Sequence, residues 1–368
     1  MPALARCRPF GAPLAILSIA ALSTVAFALA SPSRPAAVSQ SDSRATTSPP
    51  DPLPTLYAPK GEVLDIRSVT LDLDRGSDEE PLPLRVTFPA ETGSYPLIVF
   101  SHGAGGSRDT NKPLVQWWCR AGYVCVQPSH GDSIQRRSRD ELRQYDSPEA
   151  FTQSRETLRH WLTRPNDITT ILDRLDEIEE TVDGLAGKIN RERIAMTGHS
   201  FGAHTTQLLA GLEITPPGAR RSRSFADDRI DCFIAISPQG TGPSVKPDAW
   251  RRIIRPMLMI TGSRDDSPRT GQDVKWRMEA WRGMPAGDAW LLYIEDAEHN
   301  FGGISGARYR GSGADRPDHV HYVRSVCLAF LDAHLKERPE AIDFVNDDEV
   351  GKQTNHAARL ERKAKAER

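Results

Sequence analysis

From residue 63 the chain alternates apolar and polar positions over residues 63–72 (VLDIRSVTLD), and again over 82–88 (LPLRVTF). A period of two marks a strand with one buried face, so these runs predict an antiparallel opening hairpin. The pattern then changes. Residues 96–100 (PLIVF), 123–127, 193–197, 232–236, 257–261 and 290–294 are short and almost wholly apolar, as in strands covered on both faces. Residues 290–294 read as the last strand. Helical spacing lies between these runs. Residues 112–120 carry it, and 167–181 carry it more clearly, with Ile168, Ile171, Leu172, Leu175 and Ile178 on one stripe. Residues 203–212 follow, and residues 320–335 close the series with Val323, Val326, Cys327, Phe330 and Leu331 aligned. Strands alternating with helices predict an α/β fold, a mostly parallel central sheet with helices on both faces. Ligands of such sheets bind at the carboxyl ends of the strands.

The chain ends break the pattern. Arg6 and Arg8 precede an apolar run from Leu14 to about Leu29, and Ala28-Leu29-Ala30 offers the small residues that signal peptidase accepts. Residues 1–30 are therefore expected to be a cleaved secretory signal, which makes the protein secreted or periplasmic with no stable membrane span afterwards. The alternative is an uncleaved anchor, for which the run is short against the about 20 residues of a span. Residues 31–54 are rich in Ser, Pro, Thr and Ala and read as a flexible linker. Residues 351–368 are charged and poor in apolar side chains, and read as a solvated, frayed tail. One domain, 55–350, remains between them.

Composition narrows the function. With 38% hydrophobic and 26% charged residues in 368, the chain can bury a sizeable core. A net charge of −2 gives no whole-chain field toward nucleic acid. Neither GxxxxGK[ST] nor GxGxxG occurs, so no nucleotide is expected. Of five cysteines, Cys7 leaves with the signal. Cys119, Cys125, Cys232 and Cys327 allow three disulfide pairings in an oxidising compartment, or remain buried thiols. No CxxC is present, and His319 and His321 lack a third ligand at suitable spacing, so no metal site is expected.

The chemistry collects at strand ends. The strand at 193–197 runs into Gly198-His199-Ser200-Phe201-Gly202, and a helix follows. A serine held in a sharp strand-to-helix turn needs small neighbours two positions away, and Gly198 and Gly202 meet that need. Its hydroxyl is a poor nucleophile without a base. Ser101-His102-Gly103-Ala104-Gly105-Gly106 leaves the strand at 96–100 and can bring backbone N–H groups toward Ser200. The N–H groups of Phe201 and Ala104 are the two expected oxyanion donors. His102 is read as a brace for this loop and, with His130, as a candidate to line the substrate pocket. Gly262-Ser263-Arg264-Asp265-Asp266 ends the strand at 257–261. Asp265 is the preferred acid, with Asp266 left to cap a helix or pair with Arg264. His299, after the strand at 290–294, is the preferred base, in the order Ser…Asp…His. His319 and His321 are its rivals, and His199 and His204 are read as packing or capping residues. Residues 131–163 and the glycine-rich loop 301–317 could rim the pocket.

The Phe100–Gly106 run, Gly198–Gly202, the Gly262–Asp265 turn and Glu298-His299 resemble the platelet-activating-factor acetylhydrolase-like branch of the α/β hydrolases. That branch includes bacterial chains labelled dienelactone-hydrolase-like. The similarity extends from about Val63 to Leu335 and includes Arg164-Pro165-Asn166-Asp167. It implies that 55–350 is a catalytic domain that hydrolyses a small-molecule or lipid carboxylic ester without metal or organic cofactor. Ser200, His299 and Asp265 would form the triad, and Ala104 and Phe201 the oxyanion hole. A peptidase or amidase on the same scaffold, and a non-catalytic binding module, are the alternatives.

Overall fold

The structure is a computed structural model of the 368-residue chain. Residues 53–363 are described, except 55, 59–60, 77–78, 217 and 308–311. The expected signal 1–30, nearly all of the expected linker 31–54 and the last five residues of the expected tail lie outside the described residues.

The strands are β1 (Ile66–Leu73), β2 (Leu82–Pro89), β3 (Tyr95–Ser101), β4 (Val124–Pro128), β5 (Ile189–His199), β6 (Cys232–Ile236), β7 (Met257–Arg264), β8 (Ala289–Glu298) and β9 (Ala358–Arg362). They form one sheet in the order β1-β2-β4-β3-β5-β6-β7-β8-β9. β1 and β2 are the expected antiparallel hairpin, with Ile66 opposite Pro89 and Leu73 opposite Leu82. From β4 to β8 every neighbouring pair is parallel. β2 and β9 run against their neighbours at either end.

The helices are α1 (Lys112–Arg120), the short α2 (Arg139–Leu142), α3 (Pro148–Thr152) and α4 (Arg155–Arg159), then α5 (Arg164–Asp173), α6 (Leu175–Thr181), α7 (Phe201–Ala210), α8 (Val274–Gly283), α9 (Pro317–Leu335), α10 (Pro339–Asn346) and α11 (Glu349–Gln353). The alternation of side chains along each strand divides the core in two. Ile98 and Phe100 of β3 join Leu114 and Trp118 of α1 and Val323, Val326 and Phe330 of α9 on one face. Leu97 and Val99 join Ile168 and Ile171 of α5, Ile178 of α6 and Leu208 of α7 on the other. Both faces are therefore covered, which is why the inner strands read as unbroken apolar runs.

Two expectations are corrected. The helix expected over 167–181 is two helices, because Arg174 leaves the helical region at φ −114°, ψ 25°. A stripe of apolar residues specifies which face is buried and not whether the axis runs straight. The tail expected to fray from residue 351 instead forms the end of α11 and then β9, so β8 is not the last strand. Ala358 and Leu360 are buried there, while the guanidinium groups of Arg359 and Arg362 lie over the rings of Tyr293 at 3.9 Å and Trp290 at 4.8 Å. Long cationic side chains can cover apolar surface while keeping their heads wet, so a charged segment still makes a stable edge. Of the two readings left open for Cys119, Cys125, Cys232 and Cys327, the structure has the second: all four are free, buried thiols.

Candidate active site

Ser200 joins β5 to α7 with φ 58° and ψ −115°, a conformation that non-glycine residues rarely adopt. The turn is crowded on both sides. A Cβ on Gly198 would overlap the Gly202 carbonyl, and one on Gly202 would overlap the Ser101 carbonyl. Glycines at these two positions thus let β5 enter α7 directly and let the elbow press against the end of β3. Ser200 itself is partly exposed.

The structure brings Ser200, His299 and Asp265 together from three strand ends. Ser200 Oγ lies 2.9 Å from His299 Nε2, and His299 Nδ1 lies 2.7 Å from Asp265 Oδ1. The other carboxylate oxygen accepts from Ser237 Oγ at 2.7 Å and Thr261 Oγ1 at 3.0 Å. With Nδ1–H committed to Asp265, Nε2 is the free base facing Ser200. Asp266, in contrast, is exposed, and Arg264 pairs with Asp296 rather than with it. Burial alone would raise the Asp265 carboxyl, but Arg277, His299 and Ser237 together bring it below the ordinary carboxylate value. Burial lowers the His299 imidazole, against the pull of Asp265 and with the help of Arg277. A hydroxyl, a neutral imidazole and a carboxylate in this sequence can pass a proton from Oγ to Nε2 and hold the resulting charge.

The loop after β3 lies against Ser200. A Cβ on Gly103 would stand 3.6 Å from Ser200 Cβ. The N–H groups of Ala104 and of Phe201, the first residue of α7, make no hydrogen bond among the described residues. Two free donors beside a serine hydroxyl can receive an oxyanion.

Beneath this loop sits a polar network that the sequence reading did not anticipate. Arg164 and Asp132 are both fully buried, with Arg164 Nε 2.9 Å from Asp132 Oδ1 and Nη2 2.8 Å from Oδ2. The same guanidinium donates to the carbonyls of His102 at 2.6 Å and Gly103 at 3.2 Å, and lies 4.3 Å over the Phe201 ring. Asp132 also accepts from the Gly105 N–H at 3.1 Å. One ion pair therefore holds both segments that carry the free N–H groups. Burial alone would raise the Asp132 carboxyl, but Arg164 holds it well below the usual carboxylate range. Its contribution to stability is present at neutral pH and is lost only as pH falls through that depressed value. Asp132→Ala leaves Arg164 buried and unpaired, so it should cost about 3–5 kcal/mol, read as a lower midpoint in urea unfolding.

His102 and His130 do not line a substrate pocket. Both are buried, and both ring nitrogens of each are engaged internally. His102 Nδ1–H donates to the Gly103 carbonyl at 2.6 Å and Nε2 accepts from the His130 N–H at 3.0 Å. His130 Nδ1–H donates to Asp167 at 2.7 Å, and Nε2 accepts from Ser101 at 2.9 Å. They brace the loop from below. His199 donates from Nε2 to the His299 carbonyl at 2.8 Å, and burial pushes it down to about 3. His204 stacks on Trp161 with ring centres 4.9 Å apart. His319 and His321 lie on α9, where His321 donates to the Pro54 carbonyl at 2.8 Å. Residues 131–163 include α2 to α4 and pack on the loop, since a Cβ on Gly105 would overlap Thr152 and touch Ile134. No described helix is long and apolar enough to cross a membrane.

The family model for chlorophyllase matches residues 59–215. That span runs from the opening hairpin through α7. It includes Ser200, the loop after β3 and the Arg164–Asp132 pair, and it stops before Asp265 and His299.

Proposed function

We propose that the chain is a serine esterase of the α/β-hydrolase superfamily in which Ser200, His299 and Asp265 act as nucleophile, base and acid, a reading that the chlorophyllase match over residues 59–215 supports. The chlorophyllase match points to ester hydrolysis and does not single out the platelet-activating-factor acetylhydrolase-like branch. The observation that carries the reading is the pair of short contacts, 2.9 Å from Ser200 Oγ to His299 Nε2 and 2.7 Å from His299 Nδ1 to Asp265. His299 takes the Ser200 proton as Oγ attacks the ester carbonyl. The N–H groups of Ala104 and Phe201 receive the oxyanion, and Asp265 stabilises the imidazolium. The protonated imidazole gives its proton to the leaving alcohol. His299 then activates water, which releases the acid from the acyl-enzyme.

The substrate is a small soluble or short-acyl ester, met outside the cytoplasm after removal of residues 1–30. The polar segment 131–163, packed on the loop beside Ser200, supports a site bounded for small esters. Two measurements test this. A fluorescent fluorophosphonate should label the protein at Ser200. Rates on p-nitrophenyl acetate, the octanoate and a phospholipid ester should fall in that order; a preference for the long chains refutes the substrate class, and no labelling refutes the esterase.

A further inference from the structure

Arg277 lies on α8, a helix whose sequence marks none of its residues for chemistry, yet it is only 2% exposed. Every nitrogen of its guanidinium is committed around the candidate site. Nε donates to the Asp265 carbonyl at 2.6 Å and lies 3.0 Å from Asp265 Oδ1. Nη1 donates to the carbonyls of Ser237 and Pro238, both at 3.1 Å. Nη2 donates to the Asp266 carbonyl at 3.3 Å and stands 3.1 Å from His299 Nδ1. That last contact is not a hydrogen bond. His299 Nδ1 already carries the proton that it donates to Asp265, and a guanidinium nitrogen offers only hydrogens.

We propose that Arg277 is a positioning residue that fixes the Asp265 carboxylate for His299 and, through its charge, keeps His299 unprotonated into mildly acidic solution. The proposal rests on the serine-esterase reading above. In a site holding only a carboxylate, attraction raises the imidazole and the base is lost early as pH falls. Here a second full charge of opposite sign touches the same imidazole nitrogen. The other groups facing His299 do not cancel it. From β5, the His199 ring lies tilted at 4.9 Å between centres and is neutral at working pH. From the elbow, Ser200 is uncharged. The carboxylate of Glu298, next in the chain, is turned against Gly313. The balance at His299 is therefore set by burial, Asp265 and Arg277.

The test is a titration of His299 in the full chain with isotope-labelled histidine, its signal assigned with His299→Gln. Arg277→Gln should move the midpoint up. The acid limb of kcat/KM on p-nitrophenyl acetate, which rises with pH as His299 loses its proton, should move with it. At a fixed pH on that limb the variant should be roughly tenfold slower. Arg277→Lys keeps a charge in place and should restore the acid limb. A midpoint unchanged or lowered in Arg277→Gln overturns the proposal. So does a wild-type midpoint at or above 6.5, the ordinary imidazole value, which requires no Arg277 variant to fold. Fluorophosphonate labelling alongside separates the two readings. Its absence would overturn the esterase, while the titration still judges Arg277.

Discussion

Ser200→Ala should abolish the burst of p-nitrophenol expected on acylation and lower kcat by roughly 10⁶, about 8 kcal/mol of barrier. The size follows from what is removed. In the proposed mechanism Oγ forms the acyl bond, and without it His299 has no proton to take at 2.9 Å. Two features should survive in the variant. The free N–H groups of Ala104 and Phe201 remain, so a residual rate above that of water is expected. The fold should hold as well, because alanine removes only a partly exposed hydroxyl. Pre-steady-state absorbance and an unchanged unfolding midpoint check both. Full turnover in the variant would remove Ser200 from the mechanism.

The second largest effect belongs to Asp265→Asn, with a loss in kcat of roughly 10⁴, about 5 kcal/mol. The amide is nearly isosteric, so the geometry persists. Its NH2 can no longer accept the Nδ1–H of His299, and the imidazole turns to the wrong tautomer. Three donors surround the two oxygens of Asp265, from His299, Ser237 and Thr261, and Arg277 pairs with the carboxylate at 3.0 Å. Each is matched to an acceptor-only carboxylate. Asp266→Asn changes an exposed side chain and keeps the backbone carbonyl that Arg277 holds, so it should leave kcat within a few-fold. Steady-state kinetics on both variants separate them, and reversed results would transfer the acid role to Asp266.

The sheet was readable because burial on both faces leaves a composition that no exposed segment shares, as in 96–100 and 257–261. Ser200 was readable because a strained elbow demands glycines at fixed offsets, and the crowding at Gly198 and Gly202 is that demand. Asp265 and His299 were readable from their positions after strand ends. The residues that were missed share one cause. Arg164, Asp132 and Arg277 are charged side chains buried against partners far away in sequence, and an arginine in a helix looks the same whether it faces water or a carboxylate. His102 and His130 were misplaced for the converse reason, since a histidine near a strand end looks equally like a ligand contact or a brace. β9 was missed because the cover for its charged side chains comes from the rings of Tyr293 and Trp290 on another strand.

The order of the sheet divides the molecule in a way that its chemistry does not. The first five strands occupy one side and the last four the other, joined by a single parallel ladder between β5 and β6, from Ala195 opposite Cys232 to His199 opposite Ile236. Ser200 and the loop after β3 belong to the first side, and Asp265, Arg277 and His299 to the second. Neither side owns a complete charge-transfer chain. The 2.9 Å gap between Ser200 and His299 is therefore a gauge of that seam. Strain that slides β6 along β5 would separate the two atoms while each side keeps its own hydrogen-bonded strands, so the proposed hydrolysis should fail before the protein unfolds.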